Sequence, residues 1–123
     1  MVTVADVRAV LAKERQNAVT DAQIQALIDK HSRRISYKKY EPGDLGVVDP
    51  WNDENWLNDN PQARAIKQAG GVPYVVLEEG NVVYFQWHNP FKQGYFPVRQ
   101  QELNAIAQKH VDQVVIARVV TEL

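Results

Sequence analysis

The chain opens with two stretches in which apolar residues recur every three or four positions, the spacing of one face of a helix. The first stretch, residues 4–11, follows a favourable N-cap and predicts a helix that ends near Gln16. Thr20 and Gln23 form a capping box ahead of the second stretch, which predicts another helix. The short connection between them predicts an antiparallel helical hairpin over residues 1–34.

Two runs of β-branched and aromatic residues predict a β-hairpin between Gly70 and Pro90. The intervening residues 78–81, Glu-Glu-Gly-Asn, are suited to a turn. A three-residue loop over 79–81 separates apolar from mixed side chains better than a two-residue turn, and it is the predicted register. Its apolar face contains Val75, Leu77, Val83, Phe85 and Trp87. Its mixed face contains Tyr74, Val76, Glu78, Val82, Tyr84, Gln86 and His88.

The rest of the pattern predicts two more strands and two more helices. A short strand over residues 35–40 leads into a long polar connection, and Asn60, followed by a proline, is a strong helix start. An apolar stripe over residues 99–111 predicts a later helix. The apolar run over residues 114–120 predicts a final buried strand.

This order of elements predicts an α+β fold in a single domain, residues 1–123. The N-terminal helical hairpin precedes a ferredoxin-like βαββαβ sandwich over residues 35–123, in which two helices cover one face of the sheet. An alternative comes from Gly71-Val72-Pro73 ahead of a strand. This tripeptide resembles the cis-proline entry of thioredoxins and implies a thioredoxin-like α/β fold.

Composition narrows the classes of function. Of the 123 residues, 45% are hydrophobic and 24% charged, which is typical of a soluble globular domain with a sizeable core. A net charge of −1 argues against a broad surface for nucleic acid. The lack of cysteine excludes disulfides, thiol nucleophiles and Cys-based zinc sites. No signal peptide or membrane span is visible, so we expect a cytoplasmic protein. We also expect the protein to bind no cofactor or metal.

One candidate chemistry is hydrolysis of nucleic acid. His88 ends a strand, and Asn104 and His110 lie in the following helical segment, a layout that resembles the ββα-metal core of HNH-type nucleases. The resemblance implies that His88 activates water beside a divalent metal. Asn104 and His110 are six residues apart, roughly 240° around a helix, and so do not share a face. We therefore treat a metal-dependent nuclease as the alternative function.

A second candidate is a site for single-stranded nucleic acid. The basic and aromatic residues of the predicted first strand and its approach are Arg33, Arg34, Tyr37, Lys38 and Lys39. In such a site the cations contact phosphate and the rings stack on bases. The arrangement resembles the sheets of RRM-type domains, which present aromatic residues to RNA. The structural alternative is a helix C-terminus that favours positive charge, followed by an edge strand that lysines protect from pairing.

The polar connection over residues 41–60 suggests a third function, protein binding. It holds six carboxylates and no lysine or arginine around Trp51 and Trp56. Tryptophan is frequent at the centre of interfaces, although both rings could equally fix the loop to the core. The leading hypothesis is a non-catalytic domain that binds another protein. Its expected partner-binding residues are Trp51, Asp53, Glu54, Trp56, Tyr74, Tyr84, Gln86 and His88.

Small interaction proteins of this kind include immunity proteins and phage accessory or assembly proteins. The segments Thr3-Val-Ala-Asp-Val-Arg-Ala-Val-Leu and Thr20-Asp-Ala-Gln-Ile-Gln-Ala-Leu-Ile resemble the helical start of phage head–tail connector proteins. The sequence leaves the identity of the partner and the oligomeric state open.

Overall fold

The computed structural model describes residues 1–68, 70, 71, 73–86 and 100–123, without the side chains of residues 86 and 100–103. The helices, in chain order, are α1 (Val4–Arg8), α2 (Lys13–Gln16), α3 (Asp21–Ser32), α4 (Glu54–Asp59), α5 (Pro61–Gln68) and α6 (Gln100–Glu122). The strands are β1 (Ile35–Lys39), β2 (Tyr74–Glu78) and β3 (Asn81–Gln86). A short 3-10 turn, Pro50–Asn52, precedes α4.

The N-terminal region contains three helices where the sequence predicted two. Thr3 and Thr20 are the N-caps of α1 and α3 as expected, and the capping box predicted at Thr20 has a counterpart at Thr3. The break after α1 follows from Arg8, whose guanidinium donates to the carbonyl oxygens of Gln16 at 2.8 Å and Val19 at 3.0 Å. Those bonds require the chain to fold back towards Arg8, and a continuous helix to Gln16 would hold the carbonyls away from it.

All three strands form one antiparallel sheet in the order β1-β2-β3. Residues 114–120, predicted as a strand, belong instead to the last turns of α6. The reason lies in the burial pattern, because the four buried residues of α6 recur every four positions: Ala107, Val111, Val115 and Val119. The β-branched apolar run therefore contributes buried residues to one apolar stripe of a long helix.

The fold is therefore α+β, and the fourth strand of a ferredoxin-like sandwich is not among the described residues. Neighbouring strands are antiparallel throughout this part of the chain, so the thioredoxin-like alternative based on Pro73 gains no support.

The register of the hairpin also differs from the prediction. Glu78 pairs with Asn81, which leaves a two-residue turn whose residues, Glu79 and Gly80, both have positive φ. Such a turn matches the twist of the strands. A two-residue turn in a regular ladder would mix apolar and mixed side chains on each face of the hairpin. A bulge prevents this, because Leu77 pairs with Val82 but Val76 pairs with Tyr84. Val83 is the surplus residue of the bulge.

The bulge changes the side of the sheet to which two valines belong. Val82, predicted on the mixed face, packs with Leu77 and Phe85. Val83, predicted on the apolar core face, is 40% exposed. Trp87, the last residue of the predicted apolar face, lies outside the described residues.

Both faces of the central strand β2 are buried. On one face Tyr74 and Val76 pack against α1, α3 and α6. On the other, Val75 packs beneath the 41–60 connection, α4 and α5 in a second cluster. The buried members of that cluster are Tyr40, Trp51, Leu57, Ala63, Ile66 and Val75. The face that the sequence left without certain cover is therefore covered at β2.

The 41–60 connection is held to the sheet by polar contacts as well as by burial. The hydroxyl of Tyr40 donates to Asp49 Oδ1 at 2.5 Å, and Lys67 Nζ donates to the carbonyl oxygen of Trp51 at 2.8 Å. Trp51 itself is only 8% exposed. Its indole forms part of the second cluster, as the structural interpretation of the sequence expected.

We expect Trp51→Ala to lower the free energy of unfolding by about 3 kcal/mol, because the indole leaves a cavity in the second cluster. Urea unfolding followed by circular dichroism measures the change. Val47→Ala is the matched control in the same connection, since Val47 is fully exposed and its truncation should leave the midpoint unchanged. Equal midpoints for Trp51→Ala and the wild type would contradict the packing role.

Candidate binding groove between β3 and α6

A groove of about 330 Å³ lies between the bulged strand β3 and the middle of α6. Its lining residues are Val83, Tyr84, His110, Gln113, Val114, Ala117 and Arg118. The helical residues recur at intervals of three and four, so three successive turns of α6 form one wall. The bulge supplies the other wall, where Val83 and Tyr84 are 40% and 36% exposed.

Two tyrosines hold the imidazole of His110 at one end of the groove. The Tyr74 hydroxyl is hydrogen bonded to Nδ1 of His110, and the Tyr84 ring meets the imidazole edge-on with centroids 5.0 Å apart. Burial, with a smaller contribution from the charge of Lys109, lowers the pKa of His110. Burial also raises the pKa values of Tyr74 and Tyr84. All three rings are therefore neutral near pH 7.

The neutral ring of His110 has a defined tautomer. Within the described residues, the Tyr74 hydroxyl has no hydrogen-bond partner besides Nδ1. A donated Tyr74 O–H satisfies both groups, whereas a proton on Nδ1 would leave the buried hydroxyl hydrogen without an acceptor among these residues. We therefore assign the ring proton to Nε2.

Arg118 and Glu78 form an ion pair at the other end of the groove. Nε and Nη2 of Arg118 donate to the carboxylate oxygens of Glu78 at 3.0–3.2 Å, a bidentate geometry. Arg118 lowers the pKa of Glu78, and Glu78 raises the pKa of Arg118, mainly through these hydrogen bonds. Nη1 of Arg118 makes no hydrogen bond to the part of the chain that the structure describes.

A larger cavity, about 510 Å³, lies between the first residues, β1 and α6. The charged groups on its rim are the amino group of Met1 and the carboxylate of Asp112, 3.4 Å apart. These two groups pair with each other and are partly exposed to water, so an ionic contact between either of them and a ligand would add little binding energy.

The expected partner-binding residues do not form one patch. Trp51 and Tyr74 are buried, and Trp56 is half-buried against the second cluster. Tyr84 lines the groove. His88 and the side chain of Gln86 lie beyond the described parts of the chain. The structure thus separates Tyr84 from the tryptophans by the thickness of the sheet.

The carboxylates of the 41–60 connection serve the fold. Asp53 caps α4 by accepting from the backbone nitrogens of Asn55 and Trp56, and Glu54 pairs with Arg64 at 2.8 Å. The exposed apolar part of this connection is its tip, where Val47 is fully exposed. Two adjacent valines, Val47 and Val48, in a polar segment gave no periodic signal that sequence reasoning could use.

The basic residues around β1 are partly neutralised within the chain. Arg34 pairs with Glu79 at 3.0 Å, and Lys38 pairs with Asp44 at 2.8 Å. Arg33 and Lys39 are exposed, and Tyr37 is half-buried near the first core cluster. Since β1 is an edge strand of the sheet formed by the described residues, these contacts agree with the structural alternative of an edge protected by lysines.

The nuclease hypothesis rests on His88, which lies outside the described residues, together with Asn104 and His110. His110, placed on that helix by the resemblance, is bonded to Tyr74, whereas Asn104 is exposed. Within residues 1–68, 70, 71, 73–86 and 100–123, no group of three or more potential metal-binding side chains comes together. The helices of these ranges include none that could cross a membrane.

Sequence reasoning missed the groove because it divided α6. His110, Val114, Ala117 and Arg118 share one side of a continuous helix, but a strand over residues 114–120 would have scattered them. The available signal was the recurrence of an apolar residue every four positions from Ala107 to Val119, and the structure buries all four.

We expect His110 to titrate below its ordinary pKa of 6.5, because the buried ring disfavours the charged form. A folded pKa below the unfolded one means that the unfolded chain binds the proton more tightly, so stability falls as the pH drops below about 6.5. A pH titration of the His110 Cε1 proton by NMR measures the value. A midpoint at or above 6.5 would be inconsistent with the burial of His110.

Comparison of the chain with protein-family models, with curated proteins and with solved structures finds no match. A function is therefore argued from the groove itself.

Proposed function

We propose that the chain is a non-catalytic protein-interaction domain that binds an extended segment of another protein along β3, with side chains of that segment in the groove. The observation that carries the proposal is the contrast between the two edges of the sheet. Both β1 and β3 have one neighbour among the described strands, so each presents an edge.

The two edges differ in charge. The β1 edge bears Lys38 and Lys39, residues that oppose pairing with another strand. The β3 edge, Asn-Val-Val-Tyr-Phe-Gln, has no charged residue and leaves Val83 and Tyr84 exposed. An uncharged edge beside an apolar groove suits strand addition, in which backbone hydrogen bonds supply affinity and side-chain pockets supply specificity.

The dimensions of the groove agree with a short extended segment. His110 and Arg118 are eight residues apart on α6, roughly 12 Å along the helix axis at 1.5 Å per residue. An extended chain covers this length in roughly four residues at 3.3 Å each. The groove volume, about 330 Å³, is that of a few side chains rather than of a folded domain.

The polar groups of the groove support binding over catalysis. The Nδ1 atom of His110 is occupied by Tyr74, and two donor atoms of Arg118 are occupied by Glu78. The described part of the lining includes no serine, threonine or carboxylate that His110 could activate. Immunity proteins and phage accessory proteins, the classes that the sequence suggested, would both act through such a partner surface.

Selection from a phage-displayed library of random peptides tests the proposal. We expect enriched peptides to shift the amide resonances of β3 and of the middle of α6 in NMR spectra. Val83→Asp should weaken their binding tenfold or more, about 1.4 kcal/mol, because the carboxylate introduces a charge at the edge. Val47→Asp adds the same charge at an exposed site elsewhere and should leave binding unchanged.

Two results would count against the site. One is a library that yields no binder to the folded protein under these conditions. The other is a set of peptides that shift resonances elsewhere, or that lose the same affinity on Val47→Asp as on Val83→Asp.

A further inference from the structure

We infer that the bound segment carries an acidic side chain that binds Arg118, next to an apolar side chain that packs on Val114 and Ala117. The inference rests on the proposed function, since it names the chemistry of the ligand for the same groove. It commits to an extended, acidic and apolar protein segment as the occupant.

The first step is the orientation of Arg118. Glu78 accepts from its Nε and Nη2 atoms, which fixes the plane of the guanidinium. Nη1 then has two N–H groups without an acceptor among the described residues. The side chain is 42% exposed and lines the groove, so it is accessible to a ligand. A carboxylate is the acceptor that a guanidinium binds most strongly.

The second step is the distribution of charge around the groove. Among the described residues that line the groove, none is acidic. The acids of α6 near this region face other partners, because Asp112 accepts from Gln108 and from the amino terminus, and Glu122 pairs with Lys30. Lys109, by contrast, has no ion pair in the described structure and acts on His110 as a positive charge.

These contacts leave a net positive charge around the groove. Glu78 neutralises the charge of Arg118, whereas the charge of Lys109 is not neutralised by an ion pair in the described structure. The approach to the groove therefore favours an anionic ligand, and a basic segment would meet like charge.

His110 supplies a hydrogen-bond donor at the end of the groove opposite Arg118. With its proton on Nε2, His110 offers a second donor roughly 12 Å from Arg118 along α6. Val114 and Ala117 lie between the two donors and supply apolar surface. A ligand that satisfies this arrangement accepts hydrogen bonds at both ends and is apolar between them. A carboxylate near Arg118 and a backbone carbonyl near His110 meet the requirement.

The test uses the peptides selected on the wild-type protein. We expect aspartate or glutamate at a fixed position relative to an apolar residue. Exchange of that residue for its amide should raise the Kd about tenfold on the wild type, the scale of a charge-assisted hydrogen bond. On Arg118→Gln, the same exchange should change the Kd less than about twofold, because the two groups act as a pair.

Two further variants keep the result interpretable. Arg64→Gln removes an arginine that pairs with Glu54 away from the groove, so the effect of the acid-to-amide exchange should persist. Arg118→Lys retains the charge but cannot bind Glu78 and a ligand in the same way, and should keep part of the effect. Thermal unfolding of each variant confirms that it is folded.

The outcomes separate the inference from the proposed function. Peptides that bind the groove without an acidic preference, or an acid-to-amide effect that survives Arg118→Gln, would overturn the inference and leave the interaction domain standing. Failure of any peptide to bind the groove would overturn both.

Discussion

The burial of β2 on both faces is the constraint on which the rest of this fold depends. Val75 and Val76 are adjacent in sequence, point to opposite sides and are both fully inaccessible to solvent. A strand of this kind needs two separate apolar covers. The chain supplies one as α1, α3 and α6, and the other as the 41–60 connection with α4 and α5. The long polar connection is thus a structural layer, which explains why its aromatic rings point inward.

Much of the architecture was predictable where short-range chemistry decides it. The capping boxes at Thr3 and Thr20 mark the starts of α1 and α3, and Gly70-Gly71 follows the end of α5. Gly71 is required by close approach, because a Cβ there would lie 2.6 Å from Ile66 Cγ2. Local signals of this type act within a few residues and are visible in sequence.

The failures have a common physical origin, which is competition from distant parts of the chain. The apolar run 114–120 suits a strand by propensity, yet its place in a helical stripe is decided by burial against α3 and the sheet. The hairpin register was chosen from side-chain segregation alone, and a bulge provided a second solution. Trp51 belongs to the core rather than to an exposed site because it shares a cluster with Tyr40 and Ile66, which the sequence could not place beside it.

The bulge in β3 allows the residues that pair with β2 to differ from the residue that lines the groove. In a regular strand every residue would belong to the ladder. Without Val83, the core pairs Val75 with Phe85 and Leu77 with Val82 could be kept in an unbroken ladder. The surplus residue is therefore dispensable for the packing of the sheet, and its side chain lines the groove. A change at residue 83 can then alter the surface of the groove without disturbing the interior, so the shape of this surface and the stability of the fold can vary independently of each other.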